Sequence, residues 1–259
     1  MILPPASSGP LFFPLVPLLE RIPFVPDTAA LAALGALADL RTESDQPVAF
    51  VRPQDDGLGY EARIWACGEV ETRPGNWHDF FNALVWLSFP RAKAALNARH
   101  ARGLAASPAG RGAERDAMTH FDECGVVVLS SDPSLLDLVR GFRWRELFWT
   151  RRADLAGTLR CVVFGHATYE QLLAPYRGLT AKAVLYEVST AWLQQPWPEQ
   201  LADLDRRLAG ELAAGACADP RALHPLPLMG FPGLTPENEN SAYYDDRWQF
   251  RQGRRRGSV

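Results

Sequence analysis

Apolar residues recur every three or four positions in some stretches of the chain and at every position in others. The switch between the two patterns sets the expected elements. In residues 27–40 (DTAALAALGALADL) Leu31, Leu34, Leu37 and Leu40 form a stripe behind an Asp27 or Thr28 cap, which predicts a helix. PVAFVRP (47–53) reads as a short strand, and YEARIWACGEVETR (60–73) as a second strand or a hairpin around Gly68. From Trp77 to about Leu104 the spacing is helical, with a break or bend near Pro90. CGVVVLSS (124–131) is an unbroken β-branched run, as in a buried strand. Helices are expected at 133–140, at 144–159 with Trp144, Leu147, Phe148, Leu155 and Leu159 on one face, and at 166–173. A strand is expected at 181–189 and an amphipathic helix at 198–215, ending at Gly215. CVVF (161–164) fits either a helix end or a strand, and the small-residue stretch 105–113 reads as a mobile loop.

Helices and strands alternate without a regular βαβα rhythm, which predicts an α+β fold. It is expected to be a single globular domain with a mixed sheet of short strands, packed by amphipathic and buried helices. The core is expected over 27–225, an extended N-terminal strap over 1–26, and an irregular proline-rich C-terminal tail packed on the core over 226–259. Five prolines between Pro4 and Pro17 break the apolar N-terminus, which lacks the basic start of a signal peptide. No run of about 18 apolar residues suggests a membrane span. With 259 residues, 47% of them apolar, the chain has enough apolar surface for a real core. A net charge of −3 gives no strong nucleic-acid signal; only the tail arginines Arg251, Arg254, Arg255 and Arg256 cluster, as a solvated terminus or a phosphate-binding arm. Cys67, Cys124, Cys161 and Cys217 form no CxxC pair. The first three sit in apolar runs and read as reduced core residues, in keeping with a cytoplasmic protein.

Five polar clusters stand out. In GNWHDFFNALVW (75–86) Asn76 and Asp79 fit a helix cap, whereas His78 and Asn82, four apart on an otherwise apolar helix, are open to a metal or a substrate. In PRAKAALNARH (90–100) Lys93, Asn97 and His100 share a stripe that reads foremost as a solvated face. In RDAMTHFDECG (115–125) Asp122 and Glu123 precede the buried strand, as turn residues or as metal ligands and bases, and His120 reads as a loop histidine. In FGHATYE (164–170) the spacing lets His166 and Glu170 reach one cation, or lets Glu170 orient the imidazole. SAYYDDRW (241–248) is either a lid or a pin for the tail. Glycine-rich phosphate loops, GxGxxG, GxSxG and HExxH are all absent, which disfavours the common NTPases, dinucleotide enzymes, α/β-hydrolases and zincins. An HD-type phosphohydrolase lacks its upstream histidine, since His78 is the first in the chain.

In order along the chain, RPGNWHDFFNALVW, FPRAKAALN with His100, RDAMTHFDECG, WRELFW, FGHATYE, PLPLMGFPG and YYDD resemble a bacterial family known as domain of unknown function 3025. The resemblance runs from about Pro23 to Arg251. It maps the family's motif positions onto Asn76, Trp77, His78, Asp79, Asn82, Asn97, His100, Asp116, Asp122, Glu123, His166, Glu170, Asp245 and Asp246, with His120 outside the pattern. It implies membership and no particular reaction.

Two functional readings follow. In the first the protein is a metal-dependent hydrolase of phosphoester or amide bonds. His78, Asp122, His166 and Glu170 would then hold a divalent metal, and His78, Asp79, Asn82, His100, Asp122 and Glu123 would form the catalytic group. In the second it is a non-catalytic binding module for a small molecule or macromolecule, its polar clusters being caps and buried hydrogen-bond networks. Convergence of His78, Asp122 and His166 within about 8 Å separates the two.

Overall fold

A computed structural model describes residues 9–22, 27–106, 112–215, 217 and 219–253. Its centre is β3 (Gly125–Ser130), buried at every position. β3 pairs antiparallel with β4 (Leu159–Val163) and parallel with β5 (Thr180–Glu187), and β5 pairs antiparallel with β6 (His224–Pro227). The resulting order is β4-β3-β5-β6. Valines at 126–128 fill the centre of this mixed sheet, where a strand covered on both faces needs apolar residues on both. A separate parallel pair, β1 (Ala49–Val51) and β2 (Glu69–Glu71), lies earlier in the chain. These elements share one hydrophobic core running from Leu11 to Phe250, so the α+β single-domain expectation holds.

The helices are α1 (Val16–Leu19), α2 (Thr28–Leu37), α3 (Tyr60–Cys67), α4 (Trp77–Ser88), α5 (Pro90–Ala106), α6 (Ala113–Cys124), α7 (Pro133–Arg140), α8 (Arg152–Thr158), α9 (His166–Leu172), α10 (Thr190–Leu193) and α11 (Trp197–Ala213). Asp27 caps α2 through Ala30 N, and the break at Pro90 separates α4 from α5. α11 caps α5 from outside: the Asp205 carboxylate accepts from the backbone N–H groups of Arg91 and Ala92, satisfying donors that a helix start leaves open.

Several expectations need correction. Residues 60–67 are helical, because Gly68 at φ 73° ends α3 with a left-handed cap, and only Glu69–Glu71 is a strand. Arg63, a buried residue of that helix, is held by Asp56, Glu69 and Glu71. The expected helix at 144–159 divides into a π-helical turn (Glu146–Thr150) and α8, while Leu159 opens β4. CVVF is therefore strand, extended against β3. Of the loop expected at 105–113, residues 105–106 end α5 and Ala113 begins α6, while 107–111 lie outside the described residues. Residues 9–22 of the expected strap form a 3-10 turn (Pro10–Phe12) and α1, with Leu11, Phe12 and Leu15 buried. Cys67 is exposed at the end of α3 and Cys124 half-buried, so only Cys161 of the three expected core cysteines is buried, together with Cys217. Among the described residues no helix is long and apolar enough to cross a membrane.

One backbone crossing positions everything that follows. The carbonyl of Gly125, first residue of β3, accepts from Phe164 N (3.0 Å) and Gly165 N (2.8 Å). A Cβ on Gly165 would stand 2.4 Å from Gly125 N and 2.5 Å from Cys124 N and Glu123 O. Only glycine lets the start of α9 lie directly on the end of α6. Gly165→Ala is expected to destabilise the fold by about 1–3 kcal/mol through overpacking against rigid backbone, measured by urea unfolding. An unchanged midpoint would show that the crossing can loosen freely.

Candidate metal centre

Three helix ends meet at the crossing. Glu123 occupies the last turn of α6, His166 the first position of α9, and His78 the first turn of α4. α4 is brought alongside α9 by aromatic packing one turn inward: Phe81 stacks on Tyr169 with ring centroids 5.7 Å apart. Phe12 packs against both rings, and the Tyr169 hydroxyl donates to Val163 O at 2.7 Å. Phe81 and Tyr169 each lie three residues beyond a histidine on the same helical face, so their stacking carries His78 onto His166. Asn76 starts α4 by accepting from Asp79 N, as its capping pattern implies.

The two imidazoles face each other Nε2 to Nε2 at 3.0 Å. Glu123 Oε2 stands 3.6 Å from His166 Nε2 and 3.8 Å from His78 Nε2. Ligand atoms bound to one tetrahedral ion at about 2.0–2.2 Å lie ~3.3 Å apart, and the observed triangle brackets that separation. On the far side of its ring, His78 Nδ1 meets Glu170 Oε2 at 3.1 Å. His166 Nδ1 is buried without a hydrogen bond among the described residues, 3.9 Å from Asp122 Oδ2. Asp122 in turn accepts a short bond from the buried Lys93 ammonium.

These contacts constrain the protons. Glu170 requires a proton on His78 Nδ1, and Asp122 favours one on His166 Nδ1. With both in place, two Nε2 lone pairs and a carboxylate oxygen converge on one point, which calls for positive charge. Moving the His166 proton to Nε2 would satisfy His78 but turn a bare, buried Nδ1 toward a carboxylate. A proton shared between the rings bridges two of the three atoms; a cation serves all three.

Burial dominates the titration of the site. It drives His166 down to about 3, against the upward pull of Asp122 and with the Lys93 and His78 charges assisting. Burial would raise Asp122, but Lys93, His166 and His100 outweigh it and keep the carboxyl below its ordinary range. Burial raises Glu123 even though His78 opposes it.

The remaining expected site residues take other places. Asp122 and Glu123 lie at the end of a helix, not in a turn. Asp122 and Glu170, both expected as metal ligands, face the outer ring nitrogens of His166 and His78 respectively. Glu123, expected among the catalytic groups, stands with His78 and His166, one ligand atom from each lying within 4.8 Å of the others. Asp79 is bound bidentately by Arg73, at 2.8 Å to each oxygen, and accepts from Arg73 N as well; it is the structural cap. Asn82 donates to the Tyr60 hydroxyl at 2.7 Å. Lys93, Asn97 and His100 are buried rather than solvated, because α3 and α6 cover that face of α5. Asn97 binds the Glu61 carboxylate at 2.7 Å, and His100 is close enough for its charge to act on Glu61 and Asp122. Asp116 and His120 are exposed on α6. Asp245 and Asp246 pair with Arg145 and Arg177, which pins the tail to the body. Sequence reasoning passed over Tyr60 and Glu61, placed in a supposed strand, and over the pairing of Lys93 with Asp122.

Metal-free protein is expected to weaken in acid. Between about pH 3 and 6.5 the unfolded chain carries a proton on His166 that the folded chain does not, so stability rises with pH in that window and is lost as pH falls through it. The contribution reaches up to about 1.4 kcal/mol per pH unit. Urea unfolding in the presence of chelator at pH 7 and pH 5 should show a steeper loss for the wild type than for His166→Gln. Equal slopes would contradict the buried neutral imidazole.

No curated protein and no solved structure matches the chain. Residues 48–254 match the family described as Protein of unknown function (DUF3025). That span covers the four-stranded sheet, His78, Glu123, His166 and every residue that orients them, and the chain belongs to this family.

Proposed function

We propose that His78, Glu123 and His166 bind one divalent metal ion and that the protein is a metal-dependent hydrolase acting there. The observation that carries the reading is the convergence of two Nε2 atoms and one carboxylate oxygen within 4.8 Å of one another, with the outer nitrogen of each imidazole facing a separate carboxylate. Carboxylate–histidine–metal arrangements fix the tautomer and aim the ligand lone pair. Two nitrogens and one oxygen suit zinc or a neighbouring first-row ion. Three protein ligands leave a fourth position for water or substrate, and such an ion supplies Lewis acidity to that position at neutral pH. His78, Glu123 and Glu170 are each between 30% and 44% exposed, so the group is open to a substrate. Hydrolysis of a phosphoester or amide bond is the least specific chemistry these groups support.

The alternative, a non-catalytic module built on caps and buried networks, is favoured for part of the chain. Asp79, Asn82 and Asn97 are engaged in structural hydrogen bonds and His100 is buried, so the catalytic reading does not extend to them.

Elemental analysis of untagged protein purified without chelator tests the proposal. About one zinc, manganese or iron per chain is expected, with loss of the metal in His78→Ala and His166→Ala. Asp122→Asn and Glu170→Gln should keep the site but bind about 10–100-fold more weakly. Metal-free wild type that also fails to take up added zinc would reject the metal and, with it, the hydrolase.

A further inference from the structure

Beside the Lys93–Asp122 pair, α3, α4, α5 and α6 border a small, partly open chamber lined by the polar groups of Glu61, Trp86, Lys93, Asn97 and Asp122 and by the apolar side chains of Ile64 and Leu96. Its polar groups are incompletely paired. The Trp86 indole N–H, in a residue only 1% exposed, has no acceptor among the described residues. The NH2 of Asn97, a residue 3% exposed, donates to Glu61, while its side-chain oxygen has no donor among the described residues. Lys93 is 4% exposed; its ammonium carries three N–H donors, lies 5.7 Å from the centroid of the Trp86 ring, and among the described residues makes one hydrogen bond, to Asp122. Buried groups of this kind are rarely left unsatisfied, each costing more than an ordinary hydrogen bond returns.

The missing partners have a definite chemistry. Two donors, from Trp86 and Lys93, need an acceptor. The Asn97 oxygen and the carboxylates of Glu61 or Asp122 can accept. A cation is excluded by the Lys93 ammonium and the indole N–H, and an anion by Glu61 and Asp122. A water molecule, with two lone pairs and two protons, complements all four. The chamber offers about 10 Å³ to the centre of a water, at the lower edge of the ~10–15 Å³ one water requires.

We infer that the chamber binds one integral water, which accepts from Trp86 and Lys93 and donates to Asn97 and a flanking carboxylate. Its role is positional. By completing the ammonium's coordination it holds Lys93 against Asp122, and so keeps the Asp122 carboxylate turned to His166 Nδ1. The water site stands on the chamber alone; its bearing on metal affinity rests on the metal reading above.

A crystal structure of the metal-free full-length chain at about 1.5 Å tests the site whether or not metal binds. One well-ordered water is expected within about 2.7–3.2 Å of Trp86 Nε1, Lys93 Nζ and Asn97 Oδ1. A chamber closed by a direct Lys93–Asn97 bond, with no solvent density, would overturn the inference. The positional role is read from His166 by nitrogen-15 NMR: wild type is expected as the Nδ1-protonated tautomer and Trp86→Phe as a mixture. In the same variant zinc affinity should fall about tenfold. An unchanged tautomer in Trp86→Phe would remove the positional role, whatever the protein's affinity for zinc.

Discussion

Two backbones touch where α6 enters β3 and β4 leaves for α9, and the rest of the site is built on that contact. Gly125 and Gly165 face each other with no room for a side chain on Gly165, so Glu123 and His166 emerge side by side from different elements. The sheet makes the contact rigid. β3 is hydrogen-bonded on both edges, and its valines are locked between layers of helix. A site placed on the ends of packed elements is held more tightly than one on loops. α4 supplies the third group through the Phe81–Tyr169 stack, which ties the position of His78 to the helix that carries His166.

Charge is arranged in layers around this contact. The three converging atoms are electron donors, and behind each imidazole stands a carboxylate. Behind the inner carboxylate, Asp122, stands a buried lysine. Removing a partner from such a pair leaves an isolated buried charge, which costs far more than the pair itself contributes. The inner half, His166–Asp122–Lys93, is buried and the outer half, His78–Glu170, is partly open. The arrangement therefore has a fixed wall and an accessible one, which suits a centre that must hold an ion and still admit a second reactant.

Much of the sheet was legible because its signal is local. The valine run at 126–128 has no other stable home than a covered strand, and Asn76 with Asp79 marks a helix start within four residues. α3 was hidden for the opposite reason. Arg63 faces the interior, balanced by three carboxylates, and a buried arginine looks like a surface residue in a hydropathy pattern. The polar stripe of α5 misleads in the same way, since what covers it comes from elsewhere in the chain. For the site, sequence picked out the residue types and not their partners. The spacing of His166 and Glu170 suggested one shared cation, yet Glu170 binds a histidine 92 residues away in sequence. Asp122 and Glu123 are neighbours whose roles diverge because successive helical residues point about 100° apart, one inward to His166 and Lys93, the other to the meeting point of the imidazoles.

X-ray absorption at the zinc edge of the loaded protein tests the central claim most directly, because it reads the ligand atoms themselves. The account predicts a four-coordinate ion with two imidazole nitrogens at about 2.0–2.1 Å, the remaining ligands being oxygens at about 2.0–2.2 Å, and no sulfur. A sulfur neighbour at about 2.3 Å, or a spectrum without imidazole scattering, would place the metal elsewhere and contradict the convergence of His78, Glu123 and His166 as its site.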